Sequence, residues 1–244
     1  MLINASGWLL LGVRARGVLH VGAHDGEEAA FYHGQGWGPV IWVEMLPEKA
    51  AQLRQRFLDS RTDLVIEAAC WDVDGQSIAL HRASNAQSSS LLAPREHLVQ
   101  HPDVGFADDG ELITRRLDSV LPENPQFDLV CIDVQGAELQ VLNGMGKRLE
   151  AVSWACIEVS TLPLYEGAAL LPEIDAFMHQ HGFVRLARKM AEDHGWGDAL
   201  YRQAARLSRW ERLALWLRSR LWHSAMRIRL PRKVPAWDNW ELPR

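Results

Sequence analysis

The sequence predicts an α/β fold with a mostly parallel, doubly wound sheet. Short apolar runs typical of buried strands recur between residues 18 and 159, and segments with helical spacing separate them. The first run leads into a glycine turn, Gly22-Ala-His-Asp-Gly26, which is typical of the first strand-to-helix turn in such sheets. Proteins built in this way bind ligands at the carboxyl ends of the strands.

The individual elements follow from the same patterns. Five strands are predicted over residues 18–21, 40–44, 64–69, 127–133 and 152–159. Helices are predicted over residues 27–35, 47–57, 137–145 and 171–181, with Pro47 suited to a first turn and Gly182 ending the last helix. Residues 77–81 should form an antiparallel excursion. Residues 83–111 have little pattern, which fits a functional loop and a plain surface excursion equally well.

Charge divides the chain into two parts. From Arg202 to the last residue, eleven Lys and Arg residues stand against three Asp and Glu residues, a balance of +8. The first 201 residues hold the other 15 basic and 28 acidic residues, a balance of −13, so the net charge is −5. We therefore predict a domain over residues 1–200 and a basic, tryptophan-rich helical extension over residues 201–244.

The three cysteines, Cys70, Cys131 and Cys156, lie in separate apolar stretches. Their odd number and the lack of CxxC spacing argue against a disulfide framework or a zinc site, so we expect buried strand residues. No secretory signal is evident, and no apolar run approaches the roughly 20 residues of a transmembrane helix. These features predict a cytoplasmic protein.

A nucleoside-binding corner is predicted where the glycine turn meets Glu44, the last residue of the second strand. Gly22 and Gly26 allow the backbone to approach a ligand, and a strand-end carboxylate can accept both hydroxyl hydrogens of a ribose. The turn lacks the full G-x-G-x-x-G pattern, and Glu27 and Glu28 would compete with a pyrophosphate for the helix N-terminus. A cofactor without phosphate, such as S-adenosylmethionine, fits better.

Two further carboxylates are predicted at the same edge of the sheet. Asp133 ends the fourth predicted strand, and Glu158 lies near the end of the fifth. Because the carboxyl ends of parallel strands meet at one edge, Glu44, Asp133 and Glu158 would converge on one cleft. Each alone could be a helix cap or a surface charge, but three together favour a functional site.

Several segments, extending over roughly residues 17–186, match the pattern of one family. The most specific is Asp133-Val-Gln-Gly-Ala-Glu138, and the others include Val21-Gly-Ala-His-Asp-Gly26, Val43-Glu44, Glu67-Ala-Ala69, Ser88-Ser-Ser-Leu91, Thr114-Arg-Arg-Leu-Asp118 and Ile157-Glu158. The chain in this respect resembles the FkbM family of S-adenosylmethionine-dependent O-methyltransferases. The resemblance implies a Rossmann-like methyltransferase fold and methyl transfer to a hydroxyl, commonly on a sugar of a glycan or a glycosylated natural product.

The resemblance also implies roles for individual residues. On the cofactor side, Gly22, Ala23 and Gly26 would line the methionine part, Glu44 would bind the ribose, and Met45 and Ala69 would frame the adenine. Asp133 would stand nearest the transferred methyl group. Residues on the acceptor side would be Ser88, Ser89, Ser90, Tyr165 and Glu166. Gln135 stands where many relatives carry glutamate, which removes one charge from the site.

A sugar hydroxyl is a poor nucleophile until a base accepts its proton, so a general base is expected. Asp133, Glu158 or His24 could fill this role. A divalent ion held by Asp133 and Glu158 could instead acidify the hydroxyl. We favour direct base or proximity catalysis and predict no metal site, because no tight ligand spacing requires one.

The basic extension is predicted to contain a helix that mixes arginine with tryptophan and leucine. One side of it would carry Leu207, Trp210, Leu213, Ala214, Leu217 and Leu221. Such a helix suits an anionic membrane surface, which would make the protein peripheral at the inner face of the membrane. The alternative is that the helix packs on the acidic body or on a second copy of the chain.

Other functions remain open on the sequence alone. A nicotinamide-dependent oxidoreductase could share the fold, although Glu27, Glu28 and the missing third glycine count against it. A methyltransferase-like binding protein without activity is another alternative. Arginine and tryptophan in the extension would suit single-stranded nucleic acid, but an acidic body would repel its backbone, so we expect no nucleic acid partner. The acceptor that the resemblance implies is a carbohydrate.

Overall fold

The computed structural model describes residues 2–3, 5–191, 194–204 and 207–227. The helices are α1 (Ala5–Leu11), α2 (Ala29–Gly34), α3 (Pro47–Arg56), α4 (Glu96–Gln100), α5 (Leu117–Val120), α6 (Glu138–Gly144), α7 (Leu171–Gln180) and α8 (Arg209–Arg227), and a 3-10 helix spans Gly146–Ala151. The strands are β1 (Val18–Val21), β2 (Val40–Glu44), β3 (Asp63–Glu67), β4 (Ala69–Cys70), β5 (Ser77–Ala83), β6 (Phe106–Arg115), β7 (Leu129–Ile132), β8 (Trp154–Ser160), β9 (Phe183–Met190) and β10 (Trp196–Gln203).

Within these described ranges the main sheet has the strand order β3-β2-β1-β7-β8-β10-β9. The five strands β3, β2, β1, β7 and β8 run parallel to one another. Strands β10 and β9 extend the sheet beyond β8 with antiparallel pairing. The chain winds outward from β1 to β3 and then returns to place β7 on the other side of β1. The predicted α/β fold with a mostly parallel, doubly wound sheet is therefore confirmed.

Helices cover both faces of this sheet, and the alternation of side chains in β1 assigns the two layers. Leu19 and Val21 belong to an apolar cluster with α5, α6 and α7, whereas Val18 belongs to a second cluster with α1, α2 and α8. All four β1 residues are buried, as expected for the centre of a parallel sheet. Burial of each large apolar side chain stabilises the fold by about 1.5–3 kcal/mol.

The structure differs from the sequence prediction in three places. The predicted third strand, residues 64–69, divides after Glu67, because β4 leaves the main sheet to pair with β6. The weakly patterned residues 83–111 contain α4 and half of β6, which pairs antiparallel with β5. The antiparallel strands β9 and β10, which add two strands to the main sheet, were not predicted.

Helix α8 packs against the domain through one side. Trp222 is buried in the second cluster beside Gly7 of α1, Leu215 packs on the same cluster, and the Ser219 hydroxyl donates to the carbonyl of Leu186 in β9. The other side of α8 carries the predicted apolar face and is open. The exposed fractions there are 80% for Trp210, 41% for Leu213, 50% for Leu217 and 59% for Leu221.

Two simpler expectations can also be compared with the fold. The free thiols of Cys70, Cys131 and Cys156 are buried in β4, β7 and β8, as predicted. In the part of the chain that the structure describes, no helix combines the length and the apolar character needed to cross a bilayer.

Candidate active site

The register of the parallel strands aligns four predicted site residues in one row. Val21 pairs with Val43 of β2 and with Ile132 of β7, and Ile132 in turn pairs with Ile157 of β8. The residues that follow these four are Gly22, Glu44, Asp133 and Glu158. They therefore lie side by side along the carboxyl edge of the sheet, where two adjoining cavities open.

The first cavity lies at the ends of β1 and β2. Its lining residues are His20, Val21, Gly22, His24, Glu27, Glu28, Val43, Glu44, Met45, Leu46, Ala68, Cys70, Ala86, Gln87, Ser89, Leu91, Asp133, Val134, Gln135 and Ala137. The lining combines apolar side chains with several carboxylates and contains neither lysine nor arginine. A ligand with phosphate groups would find no cationic partner among these residues.

Glu44 is the most enclosed carboxylate of this cavity, with only 6% of the residue exposed. Its Oε2 accepts the backbone N–H of His24 at 2.7 Å, and its Oε1 accepts that of Leu46 at 2.8 Å. Burial raises the pKa of Glu44, and these two backbone donors partly offset that effect. Each carboxylate oxygen keeps a lone pair for a further donor, such as a ribose hydroxyl.

The two glycines of the turn allow close packing of the backbone as well as close approach of a ligand. Both have positive φ, 83° at Gly22 and 67° at Gly26. A Cβ at Gly22 would come within 1.7 Å of the carbonyl oxygen of Asp133, so only glycine allows β1 and β7 to meet here. A Cβ at Gly26 would press on Leu53 and Phe57 of the α3 region at 3.0–3.3 Å. Gly22 lines the first cavity, whereas Gly26 faces α3.

His24 lies between these glycines with a φ of 45°. Its Nδ1 is 2.8 Å from Glu27 Oε1 and 3.5 Å from Asp25 Oδ2, and its buried Nε2 has no hydrogen-bond partner among the described residues. Lys49 already pairs with Asp25 at 2.7 Å. His24 therefore belongs to the rim of the first cavity, and it does not line the second.

The second cavity opens beside the first, between β8 and the segment around α4. It is lined by Leu2, Asn85, Gln87, Ser88, His97, His101, Val104, Asp133, Gln135, Gly136, Glu138, Glu158, Ser160, Leu164, Tyr165, Ala168, Ala169, Trp196 and Asp198. Gln87, Asp133 and Gln135 line both cavities. A group bound in one cavity could therefore reach a group bound in the other beside Asp133.

Gln135 holds the wall between the cavities together. Its Nε2 donates to Asp133 Oδ1 at 2.7 Å and to Glu158 Oε2 at 3.1 Å, while its Oε1 accepts the Tyr165 hydroxyl at 2.9 Å. The Ser90 hydroxyl donates to the Gln135 carbonyl at 2.7 Å. A φ of 56° is strained for a residue other than glycine, and these hydrogen bonds hold the Gln135 backbone in that conformation.

The second cavity concentrates buried acids. Burial raises the pKa of Glu158 well above its ordinary value, and the negative charges of Asp133 and Glu138 raise it further. Burial also raises the pKa of Glu138 to about 7, although its Oε1 accepts the backbone N–H groups of Val134 and Gly136. Asp198, the cross-strand partner of Glu158, has a pKa raised mainly by burial as well.

The sequence-predicted site residues divide into three groups. Gly22, His24, Glu44, Met45, Ser89 and Asp133 line the first cavity, and Ser88, Asp133, Glu158 and Tyr165 line the second. Ala23, Gly26, Ala69, Ser90 and Glu166 line neither. Ala69 is paired with Thr114 in the small sheet, and its neighbours Ala68 and Cys70 reach the cavity instead. Glu166 is exposed.

Three site residues were missed or undervalued in the sequence. Gln135 was noted only for its lost charge, whereas its amide bridges two carboxylates. Asp198 reaches the site on the antiparallel strand β10, which the search for helical spacing and for the apolar runs of parallel strands did not detect. His97 comes from α4, inside the weakly patterned segment. The only signal in the sequence for His97 was the unusual length of that segment.

The comparisons with known proteins agree with this architecture. Residues 20–185, about two thirds of the chain, match the family model described as the methyltransferase FkbM domain. The 2-O-methyltransferase NoeI of Sinorhizobium fredii (strain NBRC 101917 / NGR234) is 29% identical over 160 residues. That alignment spans 62% of this chain and 65% of the relative's length, slightly less than two thirds.

Solved structures of distant methyltransferases are also similar. The ribosomal protein L11 methylase of Lactobacillus delbrueckii subsp. bulgaricus has a TM-score of 0.47 and 12% identity, with 82% of this chain and 77% of that chain covered. Precorrin-6y C5,15-methyltransferase of Geobacter metallireducens GS-15 has a TM-score of 0.44 and 14% identity, with 82% and 87% covered. The family model, in contrast, matches the chain across the four strand-end residues Gly22, Glu44, Asp133 and Glu158. This match shows that the chain belongs to the FkbM methyltransferase family.

Proposed function

We propose that this protein is an S-adenosylmethionine-dependent O-methyltransferase that acts on a hydroxyl group of a sugar. The observation that carries the proposal is the meeting of two cavities at Asp133. A methyl donor in the first cavity and a hydroxyl in the second would face each other at that residue. Membership of the FkbM family and the similarity to a 2-O-methyltransferase support the same chemistry.

The first cavity fits the proposed cofactor in its donor and acceptor groups. Glu44 offers a buried carboxylate with free lone pairs to the ribose hydroxyls, and Met45 and Leu46 follow it along the wall. The lack of lysine and arginine in the lining suits a cofactor without phosphate and disfavours the nicotinamide alternative, whose pyrophosphate would lie near Glu27 and Glu28. Bound S-adenosylmethionine would supply a methyl group already activated on a sulfonium.

Asp133 is the base that we propose for the acceptor hydroxyl. Burial and the neighbouring charge of Asp133 raise the pKa of Glu158, which favours its protonated form, and a proton shared with Asp133 reduces the repulsion between the two groups. The amide of Gln135 holds both side chains in place. Asp133 is then the member of the pair that can accept the proton, while alignment of the reacting groups supplies most of the rate.

A direct test combines cofactor binding with methyl transfer. Calorimetry on the full chain should detect binding of S-adenosylmethionine and none of NADH. Incubation with the ¹³C-methyl form of the cofactor and a panel of methyl glycosides should add one methoxy group, detected by NMR. Binding of NADH would favour the oxidoreductase, and cofactor binding without transfer to any panel member or to cell-envelope glycans would favour the inactive binding protein.

We also infer that the protein works in the cytoplasm, docked on an anionic membrane surface through the open side of α8. Trp210, Leu213, Leu217 and Leu221 form an apolar stripe on that side, which we call the α8 stripe. Five arginines and one glutamate lie within Arg209–Arg227, so the helix itself is basic. An apolar face flanked by arginines is typical of interfacial helices on anionic lipid.

Vesicle flotation tests this location. The full chain should bind vesicles that contain phosphatidylglycerol and ignore pure phosphatidylcholine, and salt should weaken the binding. Leu213→Ser combined with Leu217→Ser should abolish it, whereas Leu58→Ser, at a site 69% exposed outside the helix, should not. Failure of the full chain to bind, or a dimer that only the double variant disrupts, would contradict membrane docking. Of the predicted extension over residues 201–244, residues 205–206 and 228–244 lie outside the described residues.

A further inference from the structure

His97 is an unexplained polar group in the wall of the second cavity. Only 5% of the residue is exposed, and its buried Nδ1 has no hydrogen-bond partner among the residues that the structure describes. A buried polar atom without a partner costs about 1–3 kcal/mol. Such a cost is retained in a fold where a bound group supplies the missing partner, and the cavity beside His97 is the place for that group.

The imidazole ring of His97 is held firmly in this position. Its ring centroid lies 5.5 Å from that of Tyr165, 5.2 Å from that of Phe106 and 4.9 Å from that of His101. The backbone N–H of His97 donates to the carbonyl of Leu164, which anchors the start of α4. The ring is therefore oriented before any ligand arrives, as expected of a binding residue.

The charge state of His97 suits a hydroxyl partner. Burial lowers its pKa, and the neighbouring His101 lowers it further, so the ring is neutral at neutral pH. A neutral imidazole has one donor nitrogen and one acceptor nitrogen, and a sugar hydroxyl can be either partner. A cationic ring, which would instead attract an acidic group, is disfavoured here.

The remaining lining of the cavity excludes acidic ligands. Four carboxyl groups face it, from Asp133, Glu138, Glu158 and Asp198, and no lysine or arginine is among the described lining residues. A carboxylate or phosphate brought into this enclosed space would lose its hydration, meet the Asp133 carboxylate and find no cationic side chain among the described lining residues.

We propose that the second cavity binds a sugar unit free of acidic groups, and that His97 Nδ1 makes a hydrogen bond with one of its hydroxyls. This inference rests on the proposed methyl transfer and adds the acceptor class and an acceptor-binding residue to it. The hydroxyl at His97 need not be the one that is methylated, because the transfer takes place at Asp133, on the wall shared with the first cavity.

Matched acceptors test the substrate class. With saturating S-adenosylmethionine, methyl glucoside and methyl galactoside would be compared with the corresponding uronic acids and 6-phosphates. We expect kcat/KM at least 100-fold lower for the acidic member of each pair, and comparable values would overturn the inference. Saturation-transfer NMR with S-adenosylhomocysteine present separates the two proposals. Binding of neutral glycosides without turnover supports the acceptor class and contradicts methyl transfer. Binding of the acidic sugars alone overturns the acceptor class, and so does the absence of binding by any of these sugars.

Substitution of the ring tests His97 itself. His97→Phe keeps the ring packing and removes both nitrogens, so KM for the acceptor should rise at least tenfold while the Kd of S-adenosylmethionine stays near wild type and the Tm does not fall. His97→Gln restores a donor and an acceptor and should recover part of the loss. His181→Phe, at an exposed histidine beyond α7, is the matched control. An unchanged KM in His97→Phe would show that the ring does not bind the acceptor.

Discussion

Gln135 donates a hydrogen bond of 2.7 Å from its Nε2 to Oδ1 of Asp133. The same nitrogen lies 3.1 Å from Oε2 of Glu158, so one amide group restrains two carboxyls that would otherwise repel each other. A neutral donor in this position keeps the site compact without adding charge. The identity of residue 135 should therefore control how the pair titrates.

Gln135→Glu should move the acidic limb of the kcat/KM profile to higher pH. A third carboxylate between Asp133 and Glu158 raises the pKa values of the group through like-charge repulsion, and the shape of the side chain is retained. The pH dependence of methyl transfer measures the effect. Gln52→Glu, at an exposed position of α3, should leave the profile unchanged. A superimposable profile for Gln135→Glu would rule out the bridging role.

Glu44→Gln should weaken S-adenosylmethionine binding by about 1–1.5 kcal/mol, the difference between a charge-assisted hydrogen bond to the ribose and a neutral one. The amide oxygen can accept only one of the two backbone N–H groups of His24 and Leu46, so the Tm of the variant is measured beside the affinity to separate a disturbed turn from a lost ribose contact. Calorimetry gives the affinity, and Glu166→Gln at an exposed site is the control. An affinity equal to wild type would remove Glu44 from the ribose site.

Asp133→Asn should reduce turnover at least 100-fold with a much smaller effect on cofactor affinity. The amide retains the size of the side chain but cannot accept the proton of the acceptor hydroxyl, and a positioned base contributes a factor of about 10²–10⁴. Single-turnover methyl transfer and calorimetry on the same preparation separate the two effects. Full activity would exclude Asp133 both as a base and as a metal ligand.

The contribution of Glu138 to the stability of the protein should fall as the pH rises to about 7. The pKa of Glu138 rises from 4.5 to about 7 on folding, mainly because the carboxyl is buried. Its favourable contribution is complete below 4.5 and is lost as the pH passes through the folded pKa, a change on the order of 3 kcal/mol. Glu158 changes stability in the same direction.

Chemical denaturation at pH 5 and pH 8.5 should therefore give a lower free energy of unfolding at the higher pH. Glu138→Gln should flatten this dependence, since an amide can still accept the N–H groups of Val134 and Gly136 but does not ionise. The exposed Glu166→Gln should retain the wild-type dependence. An equal pH dependence in wild type and Glu138→Gln would contradict the assignment.

The sequence by itself determined the parallel core and one edge of the site. The apolar runs at Val18–Val21 and Val40–Glu44 predict buried strands with the observed bounds, because a parallel strand covered on both faces is apolar throughout. The placement of Glu44, Asp133 and Glu158 followed from strand ends alone, since parallel strands bring their carboxyl ends to one edge. These features depend on short stretches of sequence, so they can be predicted without knowledge of the tertiary structure.

Tertiary structure decided everything that depends on contacts distant in sequence. Asp198 enters the site because β10 pairs antiparallel with β8, and His97 enters because the backbone of α4 is held by Leu164. The apolar side of α8 was visible in the sequence, but only packing showed that Trp222 and Leu215 face the domain and that Trp210 and Leu217 do not. The periodicity of a helix reports which residues share a side, whereas the partner of each side is set by the surfaces that the rest of the chain presents.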